Sequence, residues 1–146
     1  MATGRHVSDL DEGDRLGPVD YTLSSFVIRE YAHAVELHQP CFQEADGIVM
    51  PPTLVHLDKL RLYRHACPLG TGPDARIHYE YDCEVFAPIP AGEALTVEGV
   101  VDRRFEKKGR THVEITIELR RRRDGALMIR YRDTVILAYR KAEDAA

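Results

Sequence analysis

Pro51-Pro52-Thr53-Leu54-Val55-His56-Leu57-Asp58-Lys59-Leu60 decides how this chain is read. Two adjacent prolines stop whatever structure precedes them, and a proline suits the first turn of a helix. Leu54, Val55, Leu57, Leu60 and Leu62 then recur over much of a helical surface, which predicts a buried helix from about Thr53 to Arg64. Cys67-Pro68-Leu69-Gly70-Thr71-Gly72-Pro73 closes it with a loop.

Beyond that loop the chain alternates with period two. Ile77, Tyr79, Tyr81, Cys83 and Val85 alternate with His78, Glu80, Asp82 and Glu84. After a Pro-Gly turn come Leu95, Val97, Gly99 and Val101, then Val113, Ile115, Ile117 and Leu119, and finally Leu127, Ile129, Tyr131, Val135, Leu137 and Tyr139. Alternation with one polar face is the pattern of an antiparallel sheet packed on one side. Lys107-Lys108-Gly109-Arg110 and Arg123-Asp124-Gly125 read as hairpin turns. The predicted fold class is α+β: one long helix lying in the curve of an antiparallel sheet of five or six strands, burying both apolar faces at once.

Upstream, Gly13 to Pro18 reads as turn-rich and Val19 to Leu23 as a short strand. Ser24 or Ser25 can cap a helix carrying Phe26, Ile28, Tyr31, Ala32 and Val35. Leu37 to Met50 is broken by Pro40 and Gly47. No repeat or linker divides the chain, so the expected organisation is a flexible arm over 1–12, one domain over 13–141 and a tail over 142–146.

The 146 residues are 44% hydrophobic and 30% charged, with a net charge of −4, which fits a globular domain and gives no global basic field for nucleic acid. Arg120 to Arg123 is a local basic run at a strand end, with a phosphate contact as its sharper reading. Cys41, Cys67 and Cys83 fit no zinc or redox spacing. Met1 to Asp14 is polar and acidic rather than a signal peptide, and no apolar run approaches membrane-spanning length. The cytoplasm, with reduced thiols, is the expected compartment. No metal or redox cofactor is implied, since no ligand cluster or glycine-rich phosphate loop is present.

Four segments, taken in order, resemble one family. They are GDRLGPVDYTLSSFVIREYAHAV (13–35), IVMPPTLVH (48–56), RIHYEYDCEVFAPIPAGEALTVEG (76–99) and KKGRTHVEITIELRRRRDGALMIRYRDTVIL (107–137). They are similar to the MaoC-like dehydratase/hydratase family, in its fatty-acid-synthase-like N-terminal branch. The resemblance implies a hot-dog fold and acyl-thioester chemistry on coenzyme A or an acyl carrier protein. The family reaction is reversible dehydration of a 3-hydroxyacyl thioester to the enoyl form. It also implies an apolar acyl tunnel at a dimer interface, with this chain or another hot-dog chain as partner.

Catalytic members of that family carry Asp-x-Asn-Pro-x-His after the first helix. Here the matching segment is Leu37-His38-Gln39-Pro40-Cys41-Phe42, with Leu37 at the Asp position and Phe42 at the His position. Neither can move a proton. Either the chain is a non-catalytic partner subunit, or the pair is relocated to the flanking Glu36 and His38. The resemblance also implies that Thr53 and Leu54 present amides to the thioester carbonyl, an oxyanion-type device at a helix N-terminus. His56 and His78 are the other expected substrate contacts, His78 matching a histidine common in that branch. Asp58, polar within an apolar helix, or Glu36 would be the acid of a third reading, a thioesterase.

Overall fold

A computed structural model describes residues 6–43, 47–72 and 76–137. Pro73, Tyr139, the first five residues of the arm and the tail over 142–146 lie outside the described residues. Five strands form one antiparallel sheet: β1 (Arg15–Thr22), β2 (Ile77–Val85), β3 (Ala94–Lys107), β4 (Arg110–Arg121) and β5 (Leu127–Leu137), in the order β1-β3-β4-β5-β2. Two helices accompany it, α1 (Ser25–Ala34) and α2 (Val55–Ala66). Ser24 caps α1, its side chain accepting the Val27 N–H. Lys108 and Gly109 both adopt positive φ, as a two-residue hairpin turn between right-twisted strands requires.

The core is the expected one along the sheet. Leu95, Val97, Val101, Ile115, Ile117, Leu119, Ile129 and Tyr131 are all buried. Helix α2 lies against them through Val55, Asp58, Lys59, Leu62, Tyr63 and Ala66, spaced three and four apart as one helical face demands. Leu62 packs against two glycines of the sheet. A Cβ on Gly99 would stand 3.2 Å from one of its methyls, and one on Gly17 would stand 2.9 Å from the other.

Three expectations need correction. Leu57 and Leu60 are 41% and 49% exposed, because they fall on the opposite side of α2 from Leu62. Strand β1 begins at Arg15 and absorbs Gly17 and Pro18 at a register shift; as an edge strand it tolerates a residue with no N–H. The described part of the arm is docked. Val7 and Leu10 are buried, Val7 and Ser8 donate their N–H groups to Gly70 and Thr71, and Arg104 donates to the carbonyls of Ser8 and Leu10.

Strand β2 departs from strict alternation. Its pairing with β5 passes from His78–Val135 to Glu80–Thr134, leaving Tyr79 as an extra residue. Past this bulge Tyr81 pairs with Asp133, Cys83 with Tyr131 and Val85 with Ile129. Val135, Asp133, Tyr131 and Ile129 share one face of β5, so His78, not Ile77 or Tyr79, joins Tyr81, Cys83 and Val85 on the face toward α2.

Candidate functional site

The Pro51-Pro52 pair shapes the start of α2. Pro52–Leu54 forms one turn of 3-10 helix that runs directly into Val55–Ala66. Leu54 donates its N–H to the Pro51 carbonyl at 3.0 Å, and its side chain is buried. Its amide is therefore already engaged, and of the two expected donors Thr53 N–H is the one that first succeeds the prolines. The Thr53 hydroxyl accepts a hydrogen bond from Tyr31 at 2.8 Å, which ties α1 to the beginning of α2.

Helical phase then sorts the polar residues of α2 to opposite ends of the sheet. Asp58 and Arg61 turn toward β1. The Arg61 guanidinium lies 3.9 Å from the Tyr21 ring centroid, and its Nε is 3.5 Å from Asp58 Oδ1. Burial pushes Asp58 up to about 6, opposed by the Tyr21 hydroxyl and Arg61 beside it. His56 and Lys59 turn instead toward β5 and β2.

There they meet a polar cluster. Lys59 Nζ donates to Asp133 Oδ2 at 2.7 Å, and His78 Nδ1 lies 2.8 Å from Asp133 Oδ1. Tyr131 donates its hydroxyl to the same Oδ1 at 3.3 Å, and that hydroxyl is 3.0 Å from His56 Nδ1. Asp133 and Tyr131 are buried, while His56 is half-buried and the His78 side chain is 38% exposed. Tyr81 packs edge-on against His56, at 5.2 Å between ring centroids. Burial, with Lys59 and His78 alongside, holds His56 below the usual imidazole range, against the opposing pull of Asp133.

A cavity of about 120 Å³ opens beside this cluster, lined by Pro52, Thr53, Val55, His56, Tyr81, Cys83 and Val85. It brings together two of the expected site residues, Thr53 and His56, with an apolar wall from edge strand β2. Burial and the flanking Asp82 and Glu84 raise the Cys83 thiol, which suits a wall residue better than a nucleophile.

The remaining candidates lie elsewhere. Glu36, at φ 59, and His38 are exposed in the turn after α1, while Leu37 and Phe42 are half-buried. The basic run is matched by acids: Arg120 meets Glu118, Arg121 meets Asp124 and Glu93, Arg122 meets Asp20, and Arg123 meets Glu93. These pairs answer the run's charge locally.

Sequence reasoning passed over Lys59, Tyr81, Tyr131 and Asp133. One signal was available. Asp133 occupies an inward position of β5, between Tyr131 and Val135, and a carboxylate there needs buried partners.

In sequence, no family model and no curated protein matches the chain. In structure many solved chains do. The HadBC (3R-hydroxyacyl-ACP dehydratase) complex from Mycobacterium tuberculosis superposes with a TM-score of 0.73 at 18% identity, covering 87% of this chain and 97% of that one. A MaoC-like dehydratase from Rhodospirillum rubrum gives 0.69 at 19%, covering 94% and 99%. The R-hydratase PhaJ1 from Pseudomonas aeruginosa gives 0.69 at 12%, covering 92% and 86%. These likenesses define the architecture as a single hot dog. More particularly, it is the hot-dog fold found in MaoC-like dehydratases and (R)-hydratases.

Proposed function

We propose that this chain binds an acyl thioester of coenzyme A or of an acyl carrier protein, as a hot-dog protein of the 3-hydroxyacyl dehydratase or enoyl hydratase type. The observation that carries this reading is the cavity at the start of α2. It sets Thr53, in the first turn after the prolines, an imidazole and an apolar wall around one small volume. A carbonyl placed there meets a backbone donor at the positive end of a helix, and an acyl chain meets Val55, Cys83 and Val85.

Assembly belongs to the same reading. Strand β2 is at the sheet edge, with Tyr79, Tyr81, Val85 and Phe86 all about half exposed. An apolar edge of this kind calls for a second strand. A second copy, or a different hot-dog chain, would cover it and enclose the cavity. The ChsH1-ChsH2 complex from Mycobacterium tuberculosis has a similar fold, with a TM-score of 0.66 at 14% identity, covering 88% and 98%. Among the described residues no helix is long and apolar enough to cross a membrane. With three free cysteines, we infer a reducing cytoplasm as the compartment.

The second reading, a non-catalytic partner subunit, is favoured by Leu37 and Phe42 at the positions where relatives in the family carry the acid–base pair. Calorimetric titration with a non-hydrolysable acyl-CoA analogue tests the shared claim. Native mass spectrometry of the chain, alone and co-expressed with the products of neighbouring reading frames, separates a homodimer from a heterodimer. Saturable binding is expected. Its absence in every assembly would remove thioester recognition from this polypeptide.

A further inference from the structure

The cavity wall holds an imidazole oriented by a buried chain of hydrogen bonds, away from the turn that carries Glu36 and His38. Tyr131 has one hydroxyl proton, and the Asp133 carboxylate is a stronger acceptor than an imidazole nitrogen, so we assign the proton to Asp133. The hydroxyl therefore accepts from His56 Nδ1, across 3.0 Å. That fixes the neutral tautomer with its proton on Nδ1 and leaves Nε2 with a lone pair. Asp133 in turn is fixed by Lys59 and His78. A base, an orienting hydroxyl and a buried carboxylate are thus in line, and the base borders the cavity that Thr53 opens onto. His78 does not border that cavity, and its Nδ1 is occupied by Asp133.

We propose that His56 is the acid–base group of this site, held in its working tautomer by the positioning residues Tyr131 and Asp133. The proposal rests on the thioester reading above. In hydration, His56 Nε2 takes a proton from water as the water oxygen bonds to the β-carbon of an enoyl thioester. The double-bond electrons move onto the thioester oxygen as an enolate, facing the Thr53 N–H. The imidazolium then returns its proton to the α-carbon and the carbonyl re-forms. One water adds as H and OH, with no oxidant or reductant, and dehydration is the reverse. The groups facing His56 are Lys59 from α2, His78 and Tyr81 from β2, and Tyr131 and Asp133 from β5. Burial first, then Lys59 and His78, outweigh the opposing pull of Asp133 and hold His56 below the usual imidazole range, so that it can accept a proton.

The test is hydration of a short enoyl-CoA by the purified protein in the assembly it forms, beside titration with the non-hydrolysable analogue. His56→Gln should lower kcat by about 100-fold or more while analogue affinity stays within about threefold. Tyr131→Phe should lower kcat less and move the acidic limb of the pH profile to lower pH, a shift that simple loosening of the fold would not produce. Turnover retained in His56→Gln overturns the proposal, as does wild-type protein that binds the analogue but never hydrates. In both cases thioester binding stands. Loss of activity in His78→Gln but not His56→Gln would transfer the role to His78 and also overturn it. No analogue binding by any assembly would remove the thioester reading and this proposal together.

Discussion

Lys59 Nζ lies 2.7 Å from Asp133 Oδ2, joining the central helix to strand β5 through an ion pair whose carboxylate is fully buried. Two further donors converge on that carboxylate, so its removal would strand a nearly buried ammonium. Asp133→Leu alone should cost about 3–5 kcal/mol of stability. The double change Lys59→Met with Asp133→Leu should recover most of that loss, since no charge is then left unpaired. Urea unfolding of the four proteins in a double-mutant cycle measures it. Simple additivity would show that the pair is not a coupled unit.

The Lys59–Asp133 pair also marks where the sequence stopped being legible. The alternation from Val113 to Leu119 and the proline pair at the start of α2 were sufficient for the architecture, because burial over that stretch of β4 tracks the pleat without interruption. The site depended on two features with no local signature. One is the Tyr79 bulge, which moves His78 onto the inner face. The other is the phase of α2. Asp58 and Lys59 face inward and Leu57 outward, the reverse of what hydrophobicity alone suggests. Tertiary partners on β1 and β5, far away in sequence, make those burials tolerable.

That reversal gives a second prediction. Leu62 is fully buried between Gly17 and Gly99, so Leu62→Ala should destabilise by about 2–5 kcal/mol. Leu57→Asp should shift the stability of the isolated chain by no more than about 0.5 kcal/mol, as for an open surface position. Thermal unfolding of both variants distinguishes them, and a collapse of Leu57→Asp alone would put the helix in the wrong rotation.

Asp58 predicts a pH dependence. Its carboxyl titrates at about 6 in the folded chain, against an ordinary value of 3.8. Between those values the native state holds a proton that the unfolded chain has released. Stability therefore falls as pH rises through this window: the contribution is fully present below about 4 and lost above about 6. The difference amounts to about 3 kcal/mol. Asp58→Asn should flatten this part of the profile, gaining on wild type more at pH 7 than at pH 4.5. Parallel profiles for the two proteins would contradict the burial argument.

Glu36 and His38, in the turn after α1, are exposed, and no side-chain hydrogen bond or ion pair involves them among the described residues. Glu36→Gln and His38→Ala should leave enoyl-CoA hydration within about twofold of wild type, because an acid–base group must reach the reacting proton. Steady-state rates decide this. A large loss of kcat in either variant, with binding intact, would restore the relocated pair and place the reacting atoms at that turn.

The edge of the sheet supplies the last prediction. Strand β2 is paired with β5 on one side, and its other side offers backbone groups flanked by Tyr79 and Phe86, exposed by 50% and 51%. A partner strand would satisfy those groups and cover both rings, and buried aromatic anchors of this kind are worth about 2 kcal/mol or more each in an interface. Lysine at a strand edge opposes such pairing, since its charge would be desolvated. Tyr79→Lys with Phe86→Lys should therefore weaken the dimer by at least about 30-fold while leaving the monomer folded. Native mass spectrometry over a dilution series reads the dimer fraction, and amide exchange in β2 reports whether that strand is the one protected. A wild-type chain that stays monomeric at every concentration, alone and beside neighbouring gene products, would show that this edge is left open, and the cavity beside His56 would then have to work uncovered.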